Sequence, residues 1–154
     1  MLKRLEHQIP PVVVMLLCMA AMAGIARLAP TLSRPFSGRL FAAAGLAALG
    51  AALGAAGVLA FRAQRTTVNP HRPAAISAMV VGGIYRRTRN PMYLGLLLML
   101  LGWAAYLAHP LACAVPPVFV LYMNRFQILP EERALQAKFG PAFDAYAQSV
   151  RRWI

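Results

Sequence analysis

Apolar residues run through this chain in long blocks rather than in strict alternation, and polar residues gather between the blocks. The first block runs from Val12 to Ala29, the second from Leu40 to Phe61, the third from Met92 to Ala108 and the fourth from Leu111 to Leu129. A run of about 20 apolar residues is what a helix needs to cross the hydrocarbon core of a bilayer. The blocks therefore predict four transmembrane helices, over 11–29, 40–62, 92–108 and 111–129. Arg62 to Asn90 is the one long polar stretch and reads as a loop spanning 63–91. Its turn residues and prolines lie at Thr66–Pro73, and a short interfacial helix is expected over Ala74–Val81. His109-Pro110 is a tight turn, so the third and fourth runs form a helical hairpin. Pro116-Pro117, near the start of the fourth run, is expected to kink or perturb it. Beyond Pro130 the pattern changes. Leu135, Phe139, Phe143, Tyr146 and Val150 recur at steps of three and four, the period of one helix face. Gly140-Pro141 interrupts them, predicting two short C-terminal interfacial helices within 130–154. The fold class is all-α: one polytopic membrane domain over 1–154.

Composition supports that reading. The chain is 60% hydrophobic and 13% charged, with a mean hydropathy of +0.57. A soluble domain lies nearer half apolar and a quarter charged. A signal peptide is a weaker account of the first run, which is long for one and is followed by further membrane-like segments. The net charge of +12 raises the question of nucleic acid. The arginines, however, sit at the ends of apolar runs rather than along one polar face, so no nucleic-acid partner is expected and an anionic membrane surface is. Lys3, Arg4, the Arg62–Arg89 region and Arg125 to Arg152 fall on one side of a four-span topology; Arg27, Arg34 and Arg39 fall on the other. The positive-inside rule then puts both termini and the long loop in the cytoplasm, in a multi-pass inner-membrane protein. Glu6, Glu131, Glu132 and Asp144, the chain's four acids, lie on that same side.

The second run contains Gly50 and Gly54 in a GxxxG arrangement, with Gly45 and Gly57 nearby. Small residues let helices approach closely in lipid. This predicts a helix in the middle of the bundle; a homodimer face is the alternative use of the same glycines. Cys18 and Cys113 lie apart in apolar runs, and His7, His71 and His109 are scattered, so no metal site is expected.

Two patches carry candidate chemistry. Gly83-Ile84-Tyr85-Arg86-Arg87-Thr88-Arg89-Asn90-Pro91-Met92-Tyr93-Leu94-Gly95 is basic, aromatic and glycine-containing, at the mouth of the third run. Pro130-Glu131-Glu132 holds two of the four acids, at the end of the fourth. Each has a plain structural account: arginines and tyrosines anchor membrane helices at the interface, and Pro-Glu-Glu starts a helix well. Together they fit a zwitterionic cofactor whose own chemistry relieves the protein of the hardest work. S-adenosylmethionine has a carboxylate for Arg89 or a neighbouring arginine, an ammonium for Glu131 or Glu132, and adenine or a sulfonium for the faces of Tyr85 and Tyr93. Gly83 and Gly95 would allow close approach to it. Asn124 and Arg125, about six residues before the acids, are candidates to face the acceptor; snorkelling to the interface is the plain account of Arg125.

These segments resemble the isoprenylcysteine carboxyl methyltransferase and phospholipid methyltransferase superfamily. The likeness runs from Gly83-Ile84-Tyr85-Arg86 through Arg89-Asn90-Pro91-Met92-Tyr93-Leu94-Gly95. It resumes at Glu131-Glu132-Arg133-Ala134-Leu135, Phe139-Gly140, Tyr146 and Val150-Arg151-Arg152-Trp153. It implies a helical membrane fold, S-adenosylmethionine as methyl donor, and a cytosolic-face site reached by lipid-like acceptors. The acceptor would be hydrophobic or amphiphilic, isoprenylcysteine carboxylate-like or phospholipid amine-like, and the sequence does not choose between an oxygen, nitrogen or sulfur as its reacting atom. By the resemblance, the loop containing Arg89, Asn90, Pro91 and Tyr93, with the acid pair, holds the cofactor. Replacing Glu131 and Glu132 together by Gln is expected to leave the fold intact and abolish cofactor binding. The usual pattern has His where this chain has Asn90, which puts any proton-transfer role of that position in doubt. Sterol reductases look similar in the same region and use a reduced nicotinamide cofactor, so an NADPH-dependent reductase is the rival reading. A non-catalytic membrane adaptor is the third.

Overall fold

The computed structural model describes residue 6 and residues 8–63 and 79–154. Among these the chain is helical, with no strand. Helix α1 spans Pro11–Leu28, α2 Arg39–Ala63 and α3 Pro91–Leu107. A 3₁₀ turn at Pro110–Ala114 leads into α4, Val115–Met123. A π turn, Asn124–Ile128, joins α4 to α5, Leu129–Phe139, and α6 covers Pro141–Ser149. The expected loop Thr66–Pro73 and most of the expected helix Ala74–Val81 lie outside the described residues; 79–81 are not helical.

The helices run up and down between two ends. At one end the α1–α2 connection meets the α3–α4 turn: the Arg34 amide donates to Ala108 O at 2.7 Å, and His109 Nε2 lies 3.0 Å from Ala29 O. At the other end the residues just before α1 and the C-terminal tail both meet the stretch running from the π turn into α5. Gln127 Nε2 donates to Ile9 O at 2.8 Å, and Arg152 reaches Glu132 on α5. Among the described residues, three helical segments are long and apolar enough to cross a membrane: Pro11–Leu28, Arg39–Ala63 and the continuous stretch Pro110–Phe139. Helix α3, with 17 residues, is shorter. Large apolar side chains such as Leu16, Leu17, Phe41, Leu59 and Leu121 point outward, the distribution of a lipid-facing surface.

Helices α2 and α3 form the largest interface, and small residues set it. A β-carbon added to Gly95 would lie 2.5 Å from Gly50 O, one at Gly57 2.8 Å from the Met92 side chain, and one at Gly102 2.9 Å from Ala43 O. As the α3 numbers rise the α2 partners fall, so the helices are antiparallel with backbones in near contact. The Gly50 and Gly57 face of α2 is thus spent against α3, and the homodimer use of those glycines is not supported; Gly45 stays exposed, and α2, largely unburied, flanks α3 rather than standing in the middle of the bundle as expected. Helix α1 closes the other side: Trp103 Nε1 donates to Met19 O at 3.1 Å, and Met22, Leu100, Phe119, Met123 and Ile128 are fully buried in the core.

Two expectations change. Pro116 and Pro117 fall in the first turn of α4, where missing N–H groups are tolerated, so they start a helix rather than kink one. Pro130 does not start a separate helix; it continues one from above. Inside a helix its ring crowds the carbonyl four residues earlier, that of Phe126. The π turn occupies that position and gives the ring room. The break at Gly140 is where the sequence puts it, with φ +50° at that glycine between α5 and α6.

Candidate active site at the terminal end of the bundle

The loop entering α3 is short and tied down. Gly83 takes φ +59°, a conformation side chains disfavour, and opens a 3₁₀ turn to Arg86. Thr88 is buried, and its hydroxyl accepts from the Asn90 amide at 3.2 Å. Asn90 O receives Leu94 N, and Pro91 is the first residue of α3. Tyr85 packs edge-on to Phe61 of α2, with ring centroids 5.5 Å apart.

The last residues of the chain hold this loop from beneath. Arg89 N donates to Arg151 O at 3.0 Å, and Asn90 Nδ2 to Arg152 O at 3.0 Å. The Thr88 hydroxyl reaches the same carbonyl at 3.4 Å. Tyr146 OH donates to Tyr85 O at 2.8 Å. Trp153 Nε1 donates to Asn124 Oδ1 at 3.0 Å, fastening the tail to the π turn. Burial pushes the Tyr146 phenol up to about 12, against the lowering pull of the Arg89 charge. It also raises that of Tyr85, helped by Tyr146 and the Glu131 charge. Both phenols stay protonated at neutral pH.

Adjacent helical residues point about 100° apart, so the acid pair divides its work. Glu131 accepts a hydrogen bond from Tyr93 OH in the first turn of α3. Glu132 faces the tail. Arg152 grips it with Nε at 3.1 Å and a terminal nitrogen at 2.6 Å, and Arg89 reaches it at 3.2 Å. One carboxylate against two guanidiniums leaves a net positive charge. Arg89 Nε is buried with no partner among the described residues. An unpaired buried donor on a cation is costly unless an acceptor arrives.

Of the residues singled out in the sequence, Tyr85, Arg89, Asn90, Tyr93, Glu131 and Glu132 come together here, with Gly83 and Pro91 shaping the loop. Gly95 does not join them: it is packed on Gly50 and Gly54 of α2. Asn124 is engaged by Trp153, and Arg125 pairs with Glu6 at 3.1 Å on another face. Thr88, Tyr146, Arg152 and Trp153 were not singled out as site residues. Only the motif Val150–Trp153 signalled the tail, because its contacts are made with residues from 20 to 64 positions away.

Residues 38–142, more than half of the chain, match the phospholipid methyltransferase family. An uncharacterised protein of Haemophilus influenzae is 48% identical over 63 residues, which are 41% of this chain and the whole of that protein. No solved structure matches. The apolar helices and the family together point to a membrane methyltransferase, and on the family match this chain belongs to the phospholipid methyltransferase family, consistent with the isoprenylcysteine/phospholipid methyltransferase superfamily.

Proposed function

We propose that the protein is an integral membrane methyltransferase that uses S-adenosylmethionine and methylates a hydrophobic or amphiphilic acceptor. That acceptor would be a phospholipid amine or an isoprenylcysteine-like carboxylate. The observation that carries the reading is the cluster of Arg89, Tyr93, Glu131 and Glu132, with its unpaired Arg89 Nε, at the mouth of the bundle. The family supports methyl transfer and lends nothing to the reductase or adaptor alternatives.

The residues fit the proposed cofactor on its polar end. Arg89 Nε is a buried donor without an acceptor, and a ligand carboxylate would satisfy it by a charge-assisted bond. Glu131, held by Tyr93, presents a carboxylate oxygen to an ammonium. Tyr85 and Tyr93 offer ring faces to a cationic or aromatic group. S-adenosylmethionine supplies an already electrophilic methyl group. The chain's own work is to bind, orient and exclude water. Glu132 and Arg152 act one step back, fixing the Arg89 guanidinium and the Asn90 loop.

Helix α3 is taken as a fourth span. Its 17 residues give about 25 Å of rise, enough with local thinning or tilt, and it runs antiparallel along α2 between the two ends. Arginines concentrate at the end carrying both termini, which supports placing that end in the cytoplasm, and the protein in the inner membrane.

The test is calorimetric binding of S-adenosylhomocysteine and, separately, NADPH to the detergent-purified protein. Micromolar binding of the first alone, weakened at least tenfold by Glu131→Gln, is the expected result. Binding of NADPH alone would overturn the assignment.

A further inference from the structure

The α4–α5 face turned away from the bundle carries Val118, Leu121, Arg125, Leu129 and Arg133, each three or four residues from the last and each exposed or partly so. It is a lipid-facing stripe that ends in two arginines two turns apart. Their side chains remain 40% and 54% exposed, and Arg125 also lies over the Phe126 ring at 5.4 Å. Two cations so placed need an anion. In this structure it is Glu6, from the segment before α1: one carboxylate oxygen takes Arg125 at 3.1 Å and the other takes Arg133 at 2.7 Å. The Arg133 hydrogen bond, with Arg125, lowers the Glu6 pKa against an opposing desolvation.

We propose that Arg125 and Arg133 form a headgroup subsite for an anionic phospholipid, and that Glu6 occupies it as an intramolecular stand-in. The spacing that receives two carboxylate oxygens suits two phosphate oxygens equally. The apolar stripe above them receives the acyl chains, and guanidiniums near a bilayer surface attract anionic lipid. Glu6 competes with the lipid, so a headgroup displaces the Glu6 carboxylate when it binds. The subsite lies on a different face from the Glu131–Tyr93 cluster and does not depend on which reaction that cluster performs.

Native mass spectrometry of the full chain in detergent, titrated with phosphatidylglycerol or phosphatidylcholine of matched acyl chains, tests it. The wild type is expected to prefer phosphatidylglycerol. Glu6→Gln removes the competitor and should tighten phosphatidylglycerol about three- to fivefold, the scale of an exposed ion pair, leaving phosphatidylcholine unchanged. The double variant Arg125→Gln/Arg133→Gln should lose the preference, by about tenfold or more. Arg86→Gln/Arg87→Gln, which removes the same charge from the same end, should keep it. Should the first double variant fail to fold by circular dichroism, Glu6→Gln decides alone, since it removes no arginine. The proposal is overturned by unchanged affinity in Glu6→Gln, or by a preference that survives the loss of both arginines. Displacement of the lipid by millimolar inorganic phosphate would make this a free-phosphate site and overturn it too.

Discussion

Replacing Glu132 by Gln should undock the C-terminal tail while leaving the transmembrane core in place. The carboxylate accepts three contacts, two from Arg152 and one from Arg89. Its own side chain is 17% exposed, that of Arg89 15% and that of Arg152 33%. Gln keeps one acceptor oxygen but removes the charge and turns an amide N–H₂ toward a guanidinium. Breaking one partner out of a buried pair costs about 3–5 kcal/mol. Arg152 can swing partly into water, which recovers some of that, so about 2–3 kcal/mol is expected. On the tail's docking equilibrium this is a factor of about 30–150. Trp153 reports it: undocked, its indole loses Asn124 Oδ1 and becomes open to acrylamide quenching. Trypsin should cut at Arg151 and Arg152 faster by a similar factor. Trp103, bonded to Met19 O and stacked on Tyr106 at the opposite end, should be unaffected. Wild-type quenching and proteolysis in a folded Glu132→Gln protein would refute the view that this ion cluster holds the tail. The same geometry revises the expectation for the Glu131/Glu132 double Gln variant. That variant removes a structural clamp along with the ligand group proposed above, so Glu131→Gln alone is the cleaner probe of the proposed cofactor binding.

Gly95→Ala should destabilise the bundle by about 1–3 kcal/mol, because the new methyl would meet Gly50 O at 2.5 Å and Gly54 N at 3.1 Å; thermal melting in detergent reads it. Gly45→Ala, with nothing within 4 Å of the added carbon, should melt at or slightly above the wild type, as helix propensity favours alanine. Asn90→Ala deletes the Nδ2 bond to Arg152 O and should weaken tail docking by about 1 kcal/mol, seen as a several-fold rise in tryptic cleavage at Arg151 without loss of helix content.

The helices were legible because lipid imposes a length and an apolar surface that a sequence cannot disguise. The glycine spacing of α2 likewise announced a close neighbour, though not that Gly95 and Gly102 of α3 would supply it. What escaped was non-local. Residues 88–90 and 151–152 pair through backbone carbonyls, which carry no residue signature. Tyr146 and Val150 were read as one helix face. Tyr146 is on α6, but α6 ends at Ser149, and Val150 already has extended backbone geometry. Pro130 misled for a local reason. It is a good helix opener, and only the π turn before it lets one helix run through from Pro110 to Phe139.

Asn90 stands where the superfamily's usual pattern has His, and its contacts say what the position needs here. Nδ2 donates to a backbone carbonyl on the tail, and the main-chain oxygen opens α3. The side-chain contact requires a donor and no titrating group. A neutral imidazole also carries one N–H, so Asn keeps the positioning contact while giving up any titratable proton. The loop is held at Arg89, Asn90 and Thr88 by the tail, and the tail in turn by Glu132 and Asn124. The geometry of the Arg89 guanidinium, and of the donor it leaves unpaired, therefore depends on residues at three separated points of the chain. A methyl-transfer site that works chiefly by alignment would be more sensitive to loss of that strap than to loss of a proton at position 90.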